Sequence, residues 1–349
     1  MWTIEQDLDD VVTRCSSIWP KLAGSRIFIT GGTGFIGCWL LETLRRANQK
    51  GGFAIEATVL TRSASAFKAK APHLFEDPLF NFIDGNILTL DSINGDYPFV
   101  IHAATDASAH LIETDPLKMF ATVINGTERA LEFALKKNAK RVLYLSSGAV
   151  YGQQPWDMSH VSEEFLGGPN CVDPRSTYAE AKRAAEMLCA IYKKQYGMQI
   201  GIARIFALLG PYLSLDIHFA AGNFIRDAMS GKKVVVVGNG MPCRSYLYPT
   251  DLTVWLWYLL MNSESCKPYN LGSEESISIA DLAIEISSLI GSGGYEILGK
   301  ADPGWNPGRY VPDAKLVAQD FSLPQTVDLK TAITRTAIWN GWRKTNEII

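Results

Sequence analysis

Long apolar runs are missing from this 349-residue chain. The longest lies near VWLWYLLM, Val254 to Met261. It is far shorter than the roughly 20 residues a membrane-spanning helix needs, so no membrane segment is expected. The N-terminus, MWTIEQDLDDVVTRC, lacks the basic flank and apolar core of a signal peptide. A cytoplasmic protein is the expectation. Charge of one sign is also lacking. Lys and Arg number 33 against 36 Asp and Glu, the net charge is −3, and no long basic run occurs. That balance argues against a nucleic-acid surface. Cysteine is sparse: Cys15, Cys38, Cys171, Cys189, Cys243 and Cys266 are scattered without metal-type spacing. They read as reduced packing thiols, with neither a disulfide framework nor a metal site. Repeats and low-complexity tracts are absent as well. What remains is a chain with 47% hydrophobic residues, enough for one large domain or two coupled ones.

Strand-like and helix-like segments alternate through the first two thirds. RIFIT (26–30), IEATVL (55–60), FVIHAA (99–104), RVLYLSS (141–147) and IGIARI (200–205) read as buried strands. GFIGCWLLETLRRA carries helical periodicity, and a long helix starts at Thr114 or Asp115 with Pro116 in its first turn. Another long helix covers 176–196. This alternation predicts an α/β fold: a Rossmann-type, doubly wound parallel sheet with a small C-terminal substrate-binding lobe. The expected division is a helical N-terminal extension (1–20, ending near Pro20), a dinucleotide-binding domain (21–205) and a mainly substrate-binding part (206–349). Some segments of the last part should return to the dinucleotide-binding domain.

TGGTGFIG places Gly31, Gly34 and Gly37 between the first strand and the first helix. Glycines allow a tight turn and let a pyrophosphate approach the N–H groups of a helix N-terminus. Phe35 and Ile36, opening that helix, are counted with the cofactor-binding residues. At the end of the second strand, many dinucleotide folds carry an acidic residue that holds the ribose hydroxyls. Here Thr61 and Arg62 stand in that place. No carboxylate repels a 2′-phosphate, and a guanidinium binds one well. NADP(H) is therefore favoured over NAD(H). Asn86 is placed to face the adenine; Asp84 reads equally as a turn residue.

In STYAEAK, Tyr178 and Lys182 share one helical face. A free tyrosine ionises near 10, and a neighbouring ammonium is expected to lower that value. The serines of LYLSSGAVYG end the preceding strand and face the same cleft. This arrangement predicts an acid/base tyrosine, a lysine partner and a serine that orients the reacting oxygen. Asp106, after the third of these strands, reads either as a sugar contact or as a loop carboxylate. His102 reads as a packed strand residue, Trp255 and Trp257 as core, and His218 and Phe219 as pocket or loop.

At this point the chain resembles the extended short-chain dehydrogenase/reductases, in the NAD(P)-dependent nucleotide-sugar epimerase/dehydratase group. TGGTGFIG, HAAT, NGT, SSGAVYG, YAEAK, Gly210-Pro211, RSYLYPTDL and YNLGS carry the resemblance over about residues 25–340. It implies Ser147, Tyr178 and Lys182 as the catalytic set. Ser147 is preferred to Ser146 because it lies four residues before Tyr151. It also implies Ala103 and Ala104 along the cofactor, Asn125 supporting the catalytic helix, and Asn223 and Arg244 toward the nucleotide; Arg309 is the candidate to supply, toward the substrate, the charge of an arginine that relatives carry before Pro-Gly and this chain lacks. A homodimer through the paired long helices is implied too.

The departures bear on the reaction. The 4,6-dehydratases of the group carry Asp-Glu after the catalytic Ser/Thr; here Gly148 and Ala149 follow. Arg204 is kept, but Ala207 replaces a usual asparagine, and Asp302 stands where relatives have arginine. The expected activity is hydride transfer at a sugar carbon of a nucleoside-diphosphate hexose, C4 first, as 4-epimerase or 4-ketoreductase. Two alternatives stay open: a 4,6-dehydratase with relocated acid/base groups, and a non-catalytic NADP(H)-sensing binding protein.

Overall fold

The structure is a computed structural model, and it describes residues 2–88, 90, 93–105, 109–216, 220–291, 293–300 and 308–343. One seven-stranded sheet organises the chain. Its strands are β1 (Arg26–Thr30), β2 (Glu56–Thr61), β3 (Phe80–Asp84), β4 (Phe99–His102), β5 (Arg141–Ser147), β6 (Ile200–Ile205) and β7 (Pro268–Leu271). They run parallel in the order β3-β2-β1-β4-β5-β6-β7. β1, β2, β4 and β5 are apolar and buried along nearly their whole length, as sheets covered on both faces require. The chain runs outward from β1 to β3 and then returns to place β4 on β1's other side. That reversal opens a crevice at the carboxyl ends of β1 and β4, where Thr30 pairs with His102.

Helices cover both faces. Pro116–Lys136 begins as its sequence dictates: Pro116 sits in the first turn and the Asp115 carboxylate accepts from Lys118 N at 3.0 Å. It lies beside Thr177–Tyr196, which ends on Gly197 in the left-handed conformation. Phe28, Tyr144, Met119, Ala181 and Cys189 form the core on this side. The opposite core holds Trp19, Trp255, Trp257 and Leu41. Helix Pro249–Asn262 is buried almost all round, which explains why VWLWYLLM is apolar without periodicity.

Residues after 205 thus serve two bodies. Pro249–Asn262 and β7 belong to the sheet. Helices Ala220–Met229, Ile279–Ile290 and Leu329–Trp339 enclose a separate core with Phe224, Val234, Ile286 and Ile333. Strand Cys243–Arg244 lies between Ile277–Ser278 and Arg309–Tyr310. At the N-terminus, helix Ile4–Arg14 is followed by a turn, Trp19–Leu22, with Pro20 in its first turn; Pro20 begins this element and does not end one. Among the described residues, no helix is long and apolar enough to cross a membrane.

Candidate active site

The glycine turn is pressed against the end of β4. Gly31 has φ +72°, and a Cβ there would stand 2.7 Å from the Ala103 backbone. A Cβ on Gly37 would stand 2.4 Å from Gly32. Gly34 is the N-cap and makes no side-chain capping bond, so the first helical N–H groups, those of Phe35, Ile36 and Gly37, are left for an anion. The backbone of Ala103 and Ala104 is fixed by Thr30, whose carbonyl and hydroxyl accept at 3.1 and 3.2 Å. This cradle fits a dinucleotide pyrophosphate: small residues and backbone donors stand where side chains would obstruct it.

At the adenosine end, Thr61 closes β2, buried, with its hydroxyl 3.3 Å from that of Thr33. Arg62 lies exposed just beyond. Asp84 is the last residue of β3, paired with Thr61, and not a turn residue; its carboxylate accepts from Ala64 N at 2.6 Å. The Asn86 side chain accepts from Leu88 N at 3.1 Å, closing its own turn.

β5 and helix Thr177–Tyr196 bring the predicted trio together. Ser147 is the last residue of β5 and is buried; its hydroxyl accepts from Ala149 N at 3.2 Å. Tyr178 stands in the first turn of the helix. Lys182, one turn on, is buried and donates to the Leu145 carbonyl at 2.7 Å and to the Thr105 hydroxyl at 2.8 Å. Its ammonium lies 6.0 Å from the Tyr178 ring centre and 4.9 Å from that of Tyr144.

The expected lowering of the tyrosine is corrected here. Burial raises Tyr178 above the ordinary tyrosine range, and hydrogen bonding by Ser147 opposes it. Burial also pulls Lys182 down to about 7, with Glu186 acting against the shift. Two groups meant to be charged sit in a place that disfavours charge on both. His102 is a packed residue, as its strand position implies. It bridges the hydroxyls of Thr30 (2.7 Å) and Thr127 (3.3 Å), and burial pulls it down to about 3, so it stays neutral.

Ser146 and Ser147 face opposite sides of β5, and their partners separate their roles. Ser146 donates to Glu186 at 2.6 Å. Glu186 in turn is gripped by Arg204, at 2.6 and 3.0 Å. Arg204 also donates to the Tyr151 hydroxyl at 2.8 Å, which donates to Asn270 at 2.7 Å. Arg204 is therefore committed to an internal network. Asn125 lies exposed on helix Pro116–Lys136; the bonds that seat Lys182 come from Thr105 and Leu145.

Tyr310 was not singled out by sequence reasoning. It pairs with Arg244 across the short strands, and hydrogen bonding by Ser147 opposes the burial that pushes its hydroxyl up. Arg309, its neighbour, projects to the other side of the strand and bridges Gln154 through its backbone. The signal was Arg309-Tyr310 itself, a charged–aromatic pair closing a Pro/Gly-rich loop. Its approach to Ser147 depends on pairing with Cys243–Arg244, far away in sequence. Arg244 donates to the carbonyls of Cys243 (2.8 Å) and Gly308 (3.1 Å). Asn223 lines a cleft of about 730 Å³ between helix Ala220–Met229 and residues Val235 to Pro242, which lead directly into Arg244. Within that cleft Asn223 accepts from Arg226 at 3.1 Å.

Gly148 and Ala149 form a tight turn after Ser147, and a Cβ on Gly148 would stand 2.6 Å from the Phe206 ring. The Phe206 ring thus fills the space that a side chain at position 148 would need. Asp106, His218, Phe219 and Asp302 lie outside the described residues.

Comparison with known proteins bears on the family and the fold. The model of the NAD dependent epimerase/dehydratase family matches residues 27–272. UDP-glucuronic acid decarboxylase 1 of Xenopus tropicalis is 32% identical over 311 residues, 89% of this chain and 71% of that protein. The UDP-glucuronic acid 4-epimerase of Bacillus cereus, solved with UDP-glucuronic acid and NAD, superposes with a TM-score of 0.76 at 23% identity, covering 90% of this chain and 98% of the other. The UDP-glucose 4-epimerase of Thermotoga maritima, solved with UDP-glucose, gives a TM-score of 0.76 at 20% identity, with 90% and 98% covered. At such identities the two structures bear on the fold alone.

Proposed function

Since the chain belongs to the NAD-dependent epimerase/dehydratase family, we propose that it acts on a nucleoside-diphosphate sugar by hydride transfer at C4, as a 4-epimerase or 4-ketoreductase. The observation that carries this reading is the convergence of Ser147, Tyr178 and Lys182 at the carboxyl end of β5, across the crevice from the glycine cradle. When bound, the nicotinamide supplies the hydride acceptor and donor. Tyr178, kept neutral by burial, would act in its ionised form once the site is loaded: the phenolate takes the C4 hydroxyl proton as the C4 hydrogen leaves with its electron pair, giving a 4-keto sugar, and the phenol returns that proton on reduction. Lys182 supplies the electrostatic support, and Ser147 orients the reacting oxygen. The cleft beside Asn223, leading to Arg244, is the proposed seat of the nucleoside diphosphate. Arg309 and Asp106 remain proposed sugar-side residues. Arg62, with no carboxylate at the end of β2, supports NADP(H) over NAD(H), although the Bacillus cereus epimerase was solved with NAD. A homodimer through the two long helices is part of the same reading.

A second reading has its own support, in the names of the relatives. A uronic acid oxidised at C4 is a β-keto acid, and it loses carbon dioxide without a side-chain acid beside Ser147. Dehydration differs: it needs one group to take the C5 proton and another to protonate the leaving C6 hydroxyl, and Gly148 and Ala149 offer neither. Decarboxylation of a nucleotide uronic acid is thus compatible with this turn, whereas efficient 4,6-dehydration is not expected.

The test is a panel of UDP-, dTDP-, GDP- and CDP-sugars, uronic acids included, with products followed by mass and NMR. Unchanged mass with inverted C4 means epimerisation, and a gain of two hydrogens means reduction. Loss of carbon dioxide means decarboxylation. Rapid, Tyr178-dependent loss of water would overturn the exclusion of dehydration. Tight NADP(H) binding with no turnover of any sugar would replace the enzyme reading by a sensing one.

A further inference from the structure

The Ser146–Glu186–Arg204 cluster lies directly behind the proposed site and takes no part in the chemistry described above. Glu186 is one helical turn beyond Lys182 on the same face, as Lys182 is one turn beyond Tyr178. Its carboxylate is nearly buried and fully committed. One oxygen accepts from Ser146 at 2.6 Å and Arg204 Nε at 3.0 Å; the other accepts from the Arg204 terminal nitrogen at 2.6 Å. Ser146 is the neighbour of Ser147 at the end of β5, and Arg204 pairs with Ser146 across β6. The one carboxylate therefore ties together the helix bearing Tyr178 and Lys182, the strand bearing Ser147, and the next strand.

We propose that Glu186 is a positioning residue, the counter-charge that keeps the Lys182 ammonium in place and sets the catalytic helix against β5. Lys182 is faced by few other groups. β4 presents His102, which is neutral, and the loop after β4 presents the Thr105 hydroxyl. β5 presents the Tyr144 ring and the Leu145 carbonyl. Its own helix presents Tyr178, Cys189 and Glu186, and β6 presents Arg204 only through Glu186. Burial raises Tyr178, Tyr144 and Cys189, so all three are uncharged at neutral pH. That leaves Glu186 as the negative charge near the ammonium among the described residues. Removing it withdraws that charge and also strands the Arg204 guanidinium, so both effects push Lys182 toward its neutral form.

The inference rests on Lys182 being the site lysine, so its test is a titration that needs no turnover. Whole protein carrying ε-13C-lysine is titrated by NMR, with the Lys182 signal assigned from Lys182→Arg. In Glu186→Gln the Lys182 midpoint should fall by about one pH unit or more, whereas Ser146→Ala, which keeps the charge, should leave it in place. Should Glu186→Gln prove unstable, Glu186→Gln with Arg204→Met removes both buried charges. Lys182 then loses the attraction of Glu186 without gaining a stranded guanidinium, so its midpoint should still fall, but by less than in Glu186→Gln alone. A midpoint unmoved in the folded variant, whatever its thermal stability, overturns the proposal. With a sugar identified, kcat at pH 8 should drop on the order of tenfold in Glu186→Gln with KM little changed, and the alkaline limb of the pH profile should move down. A wild type that turns over no sugar would sink the functional reading and leave the titration to decide this one.

Discussion

Tyr178 can be separated from its neighbours by the loss of one oxygen. Tyr178→Phe keeps the ring that packs beside Lys182 and removes only the proton carrier. Turnover should fall about 10²–10⁴-fold with cofactor affinity unchanged; retention of a third of kcat would rule out the assignment. Arg62 makes an equally local case. A charge-assisted contact to a 2′-phosphate is worth about 1.5–3 kcal/mol, so Arg62→Ala should weaken NADPH binding roughly 10–150-fold and NADH little. Equal losses in fluorescence titrations, or a wild type that prefers NADH, would refute the NADP(H) reading. Lys182 gives a stability signature. Its folded value, about 7, lies below the unfolded lysine value of about 10.4. Between these the folded chain binds fewer protons than the unfolded one, so this group's contribution rises with pH across that window; below it the burial penalty is complete. Urea denaturation should show wild type gaining on Lys182→Met by at most about 1.4 kcal/mol per pH unit from pH 7 to 9. Parallel curves would show that the lysine stays charged in the folded state throughout that window, with no lowering by burial. That Tyr178 and Lys182 lie near the end of β5 was legible from spacing and a strand end, whereas the choice of Ser147 over Ser146 came from the family resemblance. The raised tyrosine and Tyr310 were not legible, since burial and a strand pairing between distant segments created them.

Elements differ in how firmly they tie the molecule together, and the N-terminal helix Ile4–Arg14 is the clearest example. Asp9 accepts from Arg46 on helix Phe35–Gly51 at 2.7 and 2.8 Å. Asp7, buried, accepts from Arg335 at 2.6 Å and from Tyr248 at 2.5 Å, both outside the sheet's first half. Arg14 reaches the fully buried Asp251 at 2.7 Å, which also accepts from the Thr326 and Val327 backbone. The helix therefore clasps the sheet layer to the C-terminal segment. Its two kinds of ion pair should behave differently. Arg14→Ala leaves a buried carboxylate without its counter-charge and should cost about 3 kcal/mol, while Arg46→Ala breaks a part-exposed pair and should cost under about 1 kcal/mol. Urea midpoints that move equally would contradict this. The extension was legible as a helix, but its clasping role was not: amphipathic spacing shows a face, not what covers it. Pro20 misled for a related reason, since proline marks both the end of one helix and the first turn of another.

On the scale of the whole molecule, a doubly wound parallel sheet follows from the alternation and the glycine turn, while the strand order, with β3 and β7 at its edges, comes from the structure, and the crevice follows from that order. Some segments after residue 205 were expected to return to the sheet, but which ones was not legible: helix Pro249–Asn262 and β7 do so from within a lobe-like stretch. Among the described residues, both long helices leave large apolar side chains uncovered. Leu117 (78% exposed) and Phe120 (39%) stand on Pro116–Lys136; Met187 (62%), Ile191 (38%) and Tyr196 (52%) stand on Thr177–Tyr196. Met187 and Ile191 are one turn apart, as are Leu117 and Phe120, so each helix carries an apolar stripe where a solvated face would be polar. Two such helices packed against their copies would make a four-helix interface, and stable interfaces bury on the order of 1,200–2,000 Å². A two-fold axis would set each stripe against its own kind. Light scattering should therefore give a dimer mass for the wild type. Met187→Glu with Ile191→Glu should give a monomer mass with an unchanged circular-dichroism spectrum, because neither side chain belongs to the buried core. A monomeric wild type at tens of micromolar, or a variant that stays dimeric, would place the interface elsewhere. Tyr178 and Lys182 begin the helix that carries Met187 and Ile191, so the monomer should also lose turnover more than cofactor affinity.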